Sequence, residues 1–94
     1  MTRLELQETV DDLGISKNAY SLEGGSRGNK YVLSQEAMGK WSVYYCERGL
    51  ILGKRIFDNE DDACDYFLRT VMSDPTVFIL GARPYLQLEE VLLS

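Results

Sequence analysis

Apolar residues recur first at helical spacing, then in alternation, then at helical spacing again, so the chain reads as helix, strands, helix. Leu6, Val10 and Leu13 form the first stripe, and Thr2 with Glu5 makes a capping-box pattern ahead of them, predicting a helix over Arg3 to Leu13. Gly14 supplies its left-handed stop. Tyr20-Ser21-Leu22 reads as a short strand, followed by the loop Gly24-Gly25-Ser26-Arg27-Gly28-Asn29. Tyr31 to Gln35 and Lys40 to Glu47 are strands joined as a hairpin through Glu36-Ala37-Met38-Gly39. Along the second of these, Trp41, Val43 and Tyr45 share one face, while Ser42, Tyr44 and Cys46 share the other. Glu47-Arg48-Gly49 turns the chain into a third long strand, Leu50 to Phe57, in which Gly53 marks a bulge or bend. Asp58 or Asn59 then caps a helix from Glu60 to Ser73, with Ala63, Tyr66, Phe67, Thr70 and Val71 as its core stripe and Leu68 and Met72 widening it. Asp74-Pro75 ends it, because the residue before proline resists helical geometry.

This order predicts an α+β fold: a single antiparallel sheet of three to four strands, with an N-terminal helix and a following helix packed on one face. Ninety-four residues make one domain, 1–94, with a core unit over 1–76 and a tail over 77–94. In the tail, Val77-Phe78-Ile79-Leu80 is a short apolar run, and Leu86 to Leu93 has helical spacing. A chain this small buries only about 60 to 65% of its unfolded surface. Its 45% hydrophobic residues are therefore expected to fill a core rather than line a deep substrate pocket. Trp41, Val43, Tyr45, Ile56, Ala63, Tyr66 and Phe67 are the expected centre of that core.

Charge narrows the partners. Fifteen acids against ten bases give −5, and the bases do not cluster beyond Lys54-Arg55, so nucleic-acid and anionic lipid surfaces are disfavoured. The N-terminus lacks the continuous apolar core of a signal peptide, and no run approaches a membrane span. A cytoplasmic location is expected. Cys46 and Cys64 read as reduced, largely buried thiols, with a strand-to-helix disulfide as the alternative.

Candidate chemistry is sparse. There is no histidine to act as a base beside Ser, Cys or Thr, and no histidine or CxxC to complete a metal set. Lys17, Lys30, Lys40 and Lys54 sit in or beside turns and exposed strand positions, where a depressed pKa is not expected. The glycine loop lacks the Gly-Lys-Ser/Thr ending of a phosphate-binding loop. The expectation is a protein that is not an enzyme and needs no cofactor or metal.

What packing leaves over is acidic. Asp58, Glu60, Asp61, Asp62 and Asp65 fall within eight residues without a base among them. One cap and one dipole partner account for two such positions. The others repel one another, which favours a charged recognition surface, although a solvated acidic face fits the same pattern. Tyr44, on the more polar side of its strand, is the first candidate for an exposed aromatic anchor beside that surface.

Tyr20-Ser21-Leu22-Glu23-Gly24, Tyr31-Val32-Leu33, Trp41-Ser42-Val43-Tyr44-Tyr45, Glu47-Arg48-Gly49 and Phe57-Asp58-x-Glu60-Asp61-x-Ala63-Cys64-x-Tyr66-Phe67, in that order, resemble small bacterial immunity proteins encoded beside polymorphic or contact-dependent growth-inhibition toxins. The likeness runs from Leu4 to Thr76 and rests on the ordered set, with no single diagnostic signature. It implies a cytoplasmic, non-catalytic protein that binds and neutralises a cognate toxin domain, commonly a nuclease. The charge agrees, since a nuclease holds a polyanion and presents a basic cleft that an acidic partner can fill. The candidate toxin-binding residues are Asp58, Glu60, Asp61, Asp62 and Asp65, with Tyr44, Glu47 and Arg48. The alternative is a non-catalytic structural or regulatory protein-binding module. In either case the chain is expected to be a monomer or a weak dimer, the latter through an exposed strand edge or the tail.

Overall fold

The computed structural model describes residues 1–25 and 28–78. The expected features beyond Phe78, including the helical spacing of Leu86 to Leu93, lie outside the described residues. Helix α1 (Arg3–Asp12) begins on the anticipated capping box: Glu5 N–H donates to Thr2 Oγ1 at 3.2 Å and Thr2 N–H to Glu5 Oε1 at 2.8 Å. It buries Leu6 and Val10, and Gly14 leaves it at φ +77°. Four strands follow, β1 (Tyr20–Ser21), β2 (Lys30–Gln35), β3 (Trp41–Glu47) and β4 (Leu50–Phe57), and then α2 (Glu60–Met72).

The fold is α+β, and the sheet order is β1-β2-β3-β4. β2, β3 and β4 are antiparallel neighbours, as alternation and short turns require. The fourth strand makes the sheet mixed: β1 runs parallel to β2, with Tyr20 beside Tyr31 and Ser21 beside Val32. Two residues of pairing are all this connection permits, because parallel neighbours need a long crossover and here the return is a glycine-rich loop.

Both helices pack on the face that carries Tyr20, Leu33, Trp41 and Val43. Leu6 and Val10 of α1, and Ala63, Cys64, Phe67 and Val71 of α2, complete one core with Ile15, Leu22, Val77 and Phe78. The packed chain therefore runs to Phe78, which bridges to Ile15, while Ser16 N–H donates to the Val77 carbonyl at 2.7 Å. Asp74 ties this end to the sheet by accepting from the Tyr31 hydroxyl at 2.9 Å.

The opposite face of the sheet is also closed at its centre. Val32, Tyr44 and Cys46 form a second buried cluster, and Ser42 beside them is fully buried. The Ser42 hydroxyl donates to the Glu36 carboxylate at 2.7 Å, and that bond holds the Glu36 pKa below the ordinary value. The cysteines are both free and buried. They belong to cores on opposite faces, which excludes the strand-to-helix disulfide.

β4 is the exception to this burial. Among the described residues the sheet ends on it, and Leu50, Ile51, Leu52 and Ile56 are 65%, 48%, 43% and 53% exposed. Ile56, expected in the core, is corrected by its register: it lies opposite Ser42, on the face away from both helices. A bulge sits between the pairs Val43–Arg55 and Tyr45–Leu52, at Gly53, whose φ of +63° suits glycine.

Candidate partner-binding surface

The acidic run is placed by the start of α2. Asn59 is the N-cap, with an extended backbone that leaves its side chain free to turn back: Asp62 N–H donates to Asn59 Oδ1 at 2.8 Å. Asn59 Nδ2 in turn donates to Asp62 Oδ2 at 3.1 Å, so the cap is reciprocal. Glu60, Asp61 and Asp62 fill the first turn, where carboxylates interact favourably with the exposed N–H groups and the helix dipole.

Glu60 and Asp61 of this turn, and Asp58 before it, also find partners far away in sequence. Glu60 Oε2 accepts from the Arg3 backbone N–H at 2.7 Å, and Asp61 pairs with the Met1 ammonium, whose pKa that hydrogen bond raises. Together these two carboxylates fasten the beginning of α1 to the beginning of α2. Asp58 pairs with Lys40 at 2.6 Å, which holds its carboxyl below the ordinary aspartate range and fastens α2 to the β2–β3 hairpin. Asp65 alone of the five has no side-chain hydrogen bond or ion pair among the described residues; its carbonyl accepts from Arg69 Nε at 3.4 Å. Asp58, Asp61, Asp62 and Asp65 are exposed and Glu60 is half-buried. The run thus ties two helices and a hairpin together while keeping four carboxylates in water.

Tyr44 is not the exposed anchor that the sequence suggested. It is 6% exposed, its hydroxyl donates to the Gly25 carbonyl at 2.7 Å, and Lys54 lies 5.8 Å above its ring. Gly25 and the β4 lysine cover the strand face that its polar neighbours mark as open. Burial, the largest influence, raises its pKa. Glu47 and Arg48 are exposed as expected. Arg48 (φ +52°) and Gly49 (φ +83°) are both left-handed, as a two-residue hairpin turn of the I′ kind requires, and Arg48 N–H donates to Asn29 Oδ1 at 3.1 Å. That turn lies at the end of β4 away from Asp58, so Glu47 and Arg48 do not join the acidic surface within one chain.

The hairpin that Lys40 ties to Asp58 carries an exposed apolar residue, Met38. At the tip of the β2–β3 hairpin Met38 is left-handed (φ 61°, ψ 33°) and 96% exposed, two residues from the lysine that binds Asp58. A flexible apolar side chain is thereby held out at the hairpin tip, on a backbone conformation that non-glycine residues seldom adopt. The Met-Gly pair inside a four-residue connection was the available signal, since one residue of such a loop commonly takes this conformation.

Among the described residues, no group of three or more His, Cys, Asp or Glu is arranged to hold a metal ion, and no helix is long and apolar enough to cross a membrane. A groove between β4 and α2, of ≈ 540 Å³, is lined by Arg55, Phe57, Tyr66, Arg69, Thr70 and Ser73. It offers guanidinium and hydroxyl groups but no carboxylate, thiol or imidazole. Arg55 is stacked 5.0 Å over the Tyr66 ring. Burial pushes the Cys64 thiol up to about 11, where it is a poor nucleophile. No family model, no curated protein and no solved structure matches this chain.

Proposed function

We propose that this chain is an immunity protein that binds and neutralises a toxin domain with a basic cleft, and that it docks through the start of α2. The observation that carries this reading is the exposed acidic helix start, tied through Asp58 and Lys40 to a hairpin whose tip projects an apolar side chain. Asp62 and Asp65 supply unneutralised charge for steering, and Met38 supplies an adaptable contact at that tip. A toxin that handles a polyanion, a nuclease above all, is the partner whose electrostatics such a surface complements. The sequence likeness to immunity proteins supports the same reading. A non-catalytic structural or regulatory binding module is the second reading, and the exposed edge of β4 favours it.

Co-expression with the toxin domain encoded beside this gene tests the proposal. Asp65→Lys combined with Asp62→Asn raises the net charge by three, two from the first change and one from the second, and keeps a side chain able to accept from Asn59. The parent should rescue growth, whereas the double variant should fold normally, associate with the toxin about tenfold or more slowly, and protect poorly. Equal protection by both chains would remove the acidic surface from the interface. Failure of the parent to protect would remove the immunity reading.

A further inference from the structure

Among the described residues β4 is an eight-residue sheet edge with apolar side chains on both of its faces, and its sequence is complementary to itself. We propose that a second copy of this chain pairs with it, β4 against β4 in antiparallel, to make one continuous eight-stranded sheet across a two-fold axis. The proposal stands whether or not the protein neutralises a toxin.

The register follows from the bulge. Pairing with β3 puts Leu50, Leu52, Arg55 and Phe57 on the helix-covered side, and Ile51 and Ile56 on the other. Residues directly opposite in a ladder point to the same side. Two copies therefore match face for face when Leu50 lies opposite the partner's Phe57, Ile51 opposite the partner's Ile56, and Leu52 opposite the partner's Arg55. Gly53 and Lys54 then meet at the axis. Without the bulge, side alternation along β4 would forbid this match; with it, every apolar residue of one half-strand gains a partner except Leu52, which meets the aliphatic stem of an arginine.

Charge selects the same arrangement. Arg48 precedes β4 and Asp58 follows it, so antiparallel pairing sets Arg48 opposite the partner's Asn59, between Asp58 and Glu60, at both ends of the seam. A parallel pair would set like charges together instead. Natural edges are guarded by lysines and bulges. Here both guards fall on the central two residues, Gly53 and Lys54, and Lys54 lies 3.7 Å from the Glu36 carboxylate of its own chain. The flanking triplets remain open.

Sedimentation velocity on the full chain over a wide concentration series tests the pairing. The expected result is a reversible shift from 10.7 kDa to twice that mass, weakened by salt because the end contacts are ionic. Ile56→Lys should weaken the dimer about tenfold or more without changing the circular dichroism of the fold, since it sets a charge against the partner's Ile51. Arg48→Glu should weaken it too, since it sets a carboxylate beside the acids of the partner's 58–60 segment. As a readout independent of stability, mixed Ile51→Cys and Ile56→Cys chains should join covalently under mild oxidation, the native cysteines being buried. A chain that stays at 10.7 kDa throughout the series, or a dimer that Ile56→Lys leaves intact and the cysteine pair fails to lock, overturns the proposal.

Discussion

β3 and β4 are neighbours of nearly equal length and similar apolar content, yet one is the most buried of the described strands and the other the least. Trp41, Ser42, Val43, Tyr44 and Cys46 of β3 are buried, whereas no residue of β4 is. Composition does not separate them; position in the sheet does. A helix with its side chains is about 10–12 Å across and strands lie about 4.8 Å apart, so one helix covers about two strands. α1 reaches the β1 end, where Gln7 donates to the Tyr20 hydroxyl at 2.7 Å, and α2 packs chiefly over β2 and β3. Only the edge of α2 meets β4, through Tyr66 against Phe57 and Arg55. The contrast shows where a small domain has finished its core and where it has apolar surface to offer a partner.

The strongest way to break this comparison is to truncate one residue on each side of it. Phe67, fully buried under the sheet, should cost about 3–5 kcal/mol when changed to alanine, a large share of the stability of so small a domain. Leu50→Ala, at 65% exposure, should stay within about 0.5 kcal/mol in dilute solution, where the chain is monomeric. Urea denaturation of both variants measures the difference. If Leu50→Ala approaches the cost of Phe67→Ala, β4 is covered in solution and the contrast fails.

Two glycines sharpen it at a smaller scale. Gly53→Ala forces a left-handed β-carbon at φ +63° but meets nothing within 4 Å, so only backbone strain opposes it, about 1 kcal/mol. Gly24→Ala carries the same strain at φ +78°, and its β-carbon would also lie 3.0 Å from Ser34 Oγ. The site beside the inner strand β2 should therefore be less tolerant than the one on the edge strand, with Gly24→Ala lowering the urea midpoint more than Gly53→Ala.

What the sequence could disclose depended on how local the cause was. The capping box at Thr2 and Glu5, the hairpins, the Gly53 bulge and the span of α2 follow from residues within a turn of one another, and they lie where they were expected. β1 was legible as a strand but not in its direction, since a two-residue parallel pairing leaves no periodic signal. Tyr44 misled because its neighbours Ser42 and Cys46 look like an open face, while its cover is a carbonyl nineteen residues away. Ile56 misled for the complementary reason: it is as apolar as any core residue, and only the end of the sheet exposes it. Of the candidate site, the cap was readable. The partners of Glu60 and Asp61 were not, because they come from the start of the chain, more than fifty residues distant. The acids that looked surplus to α2 by itself include two that join it to α1.

The smallest effect expected is a pH dependence on the covered side, smallest because its groups are half-exposed and screened by solvent. Burial, then the hydrogen bond to Asp74, pushes the Tyr31 hydroxyl from its ordinary 10 up to about 12. Burial opposes ionisation of Asp74, but bonds from the Thr76 hydroxyl and N–H and from Tyr31 outweigh it, leaving its pKa lowered. The two signs differ. A raised tyrosine means the folded chain holds its proton more tightly, so the contribution of Tyr31 is complete below pH 10 and lost as pH rises toward about 12. A lowered carboxyl means the unfolded chain binds the proton more tightly, so the contribution of Asp74 is complete above its ordinary pKa of 3.8 and lost as pH falls through the folded value. Tyr31→Phe should flatten the alkaline limb of a stability–pH profile and reduce the acid limb, since Asp74 loses a donor. The Leu50→Ala edge variant should leave both limbs as they are. A profile in which Tyr31→Phe changes neither limb would mean that the tie between α2 and the sheet is not held by this pair, and that the covered half of the molecule depends on apolar packing alone.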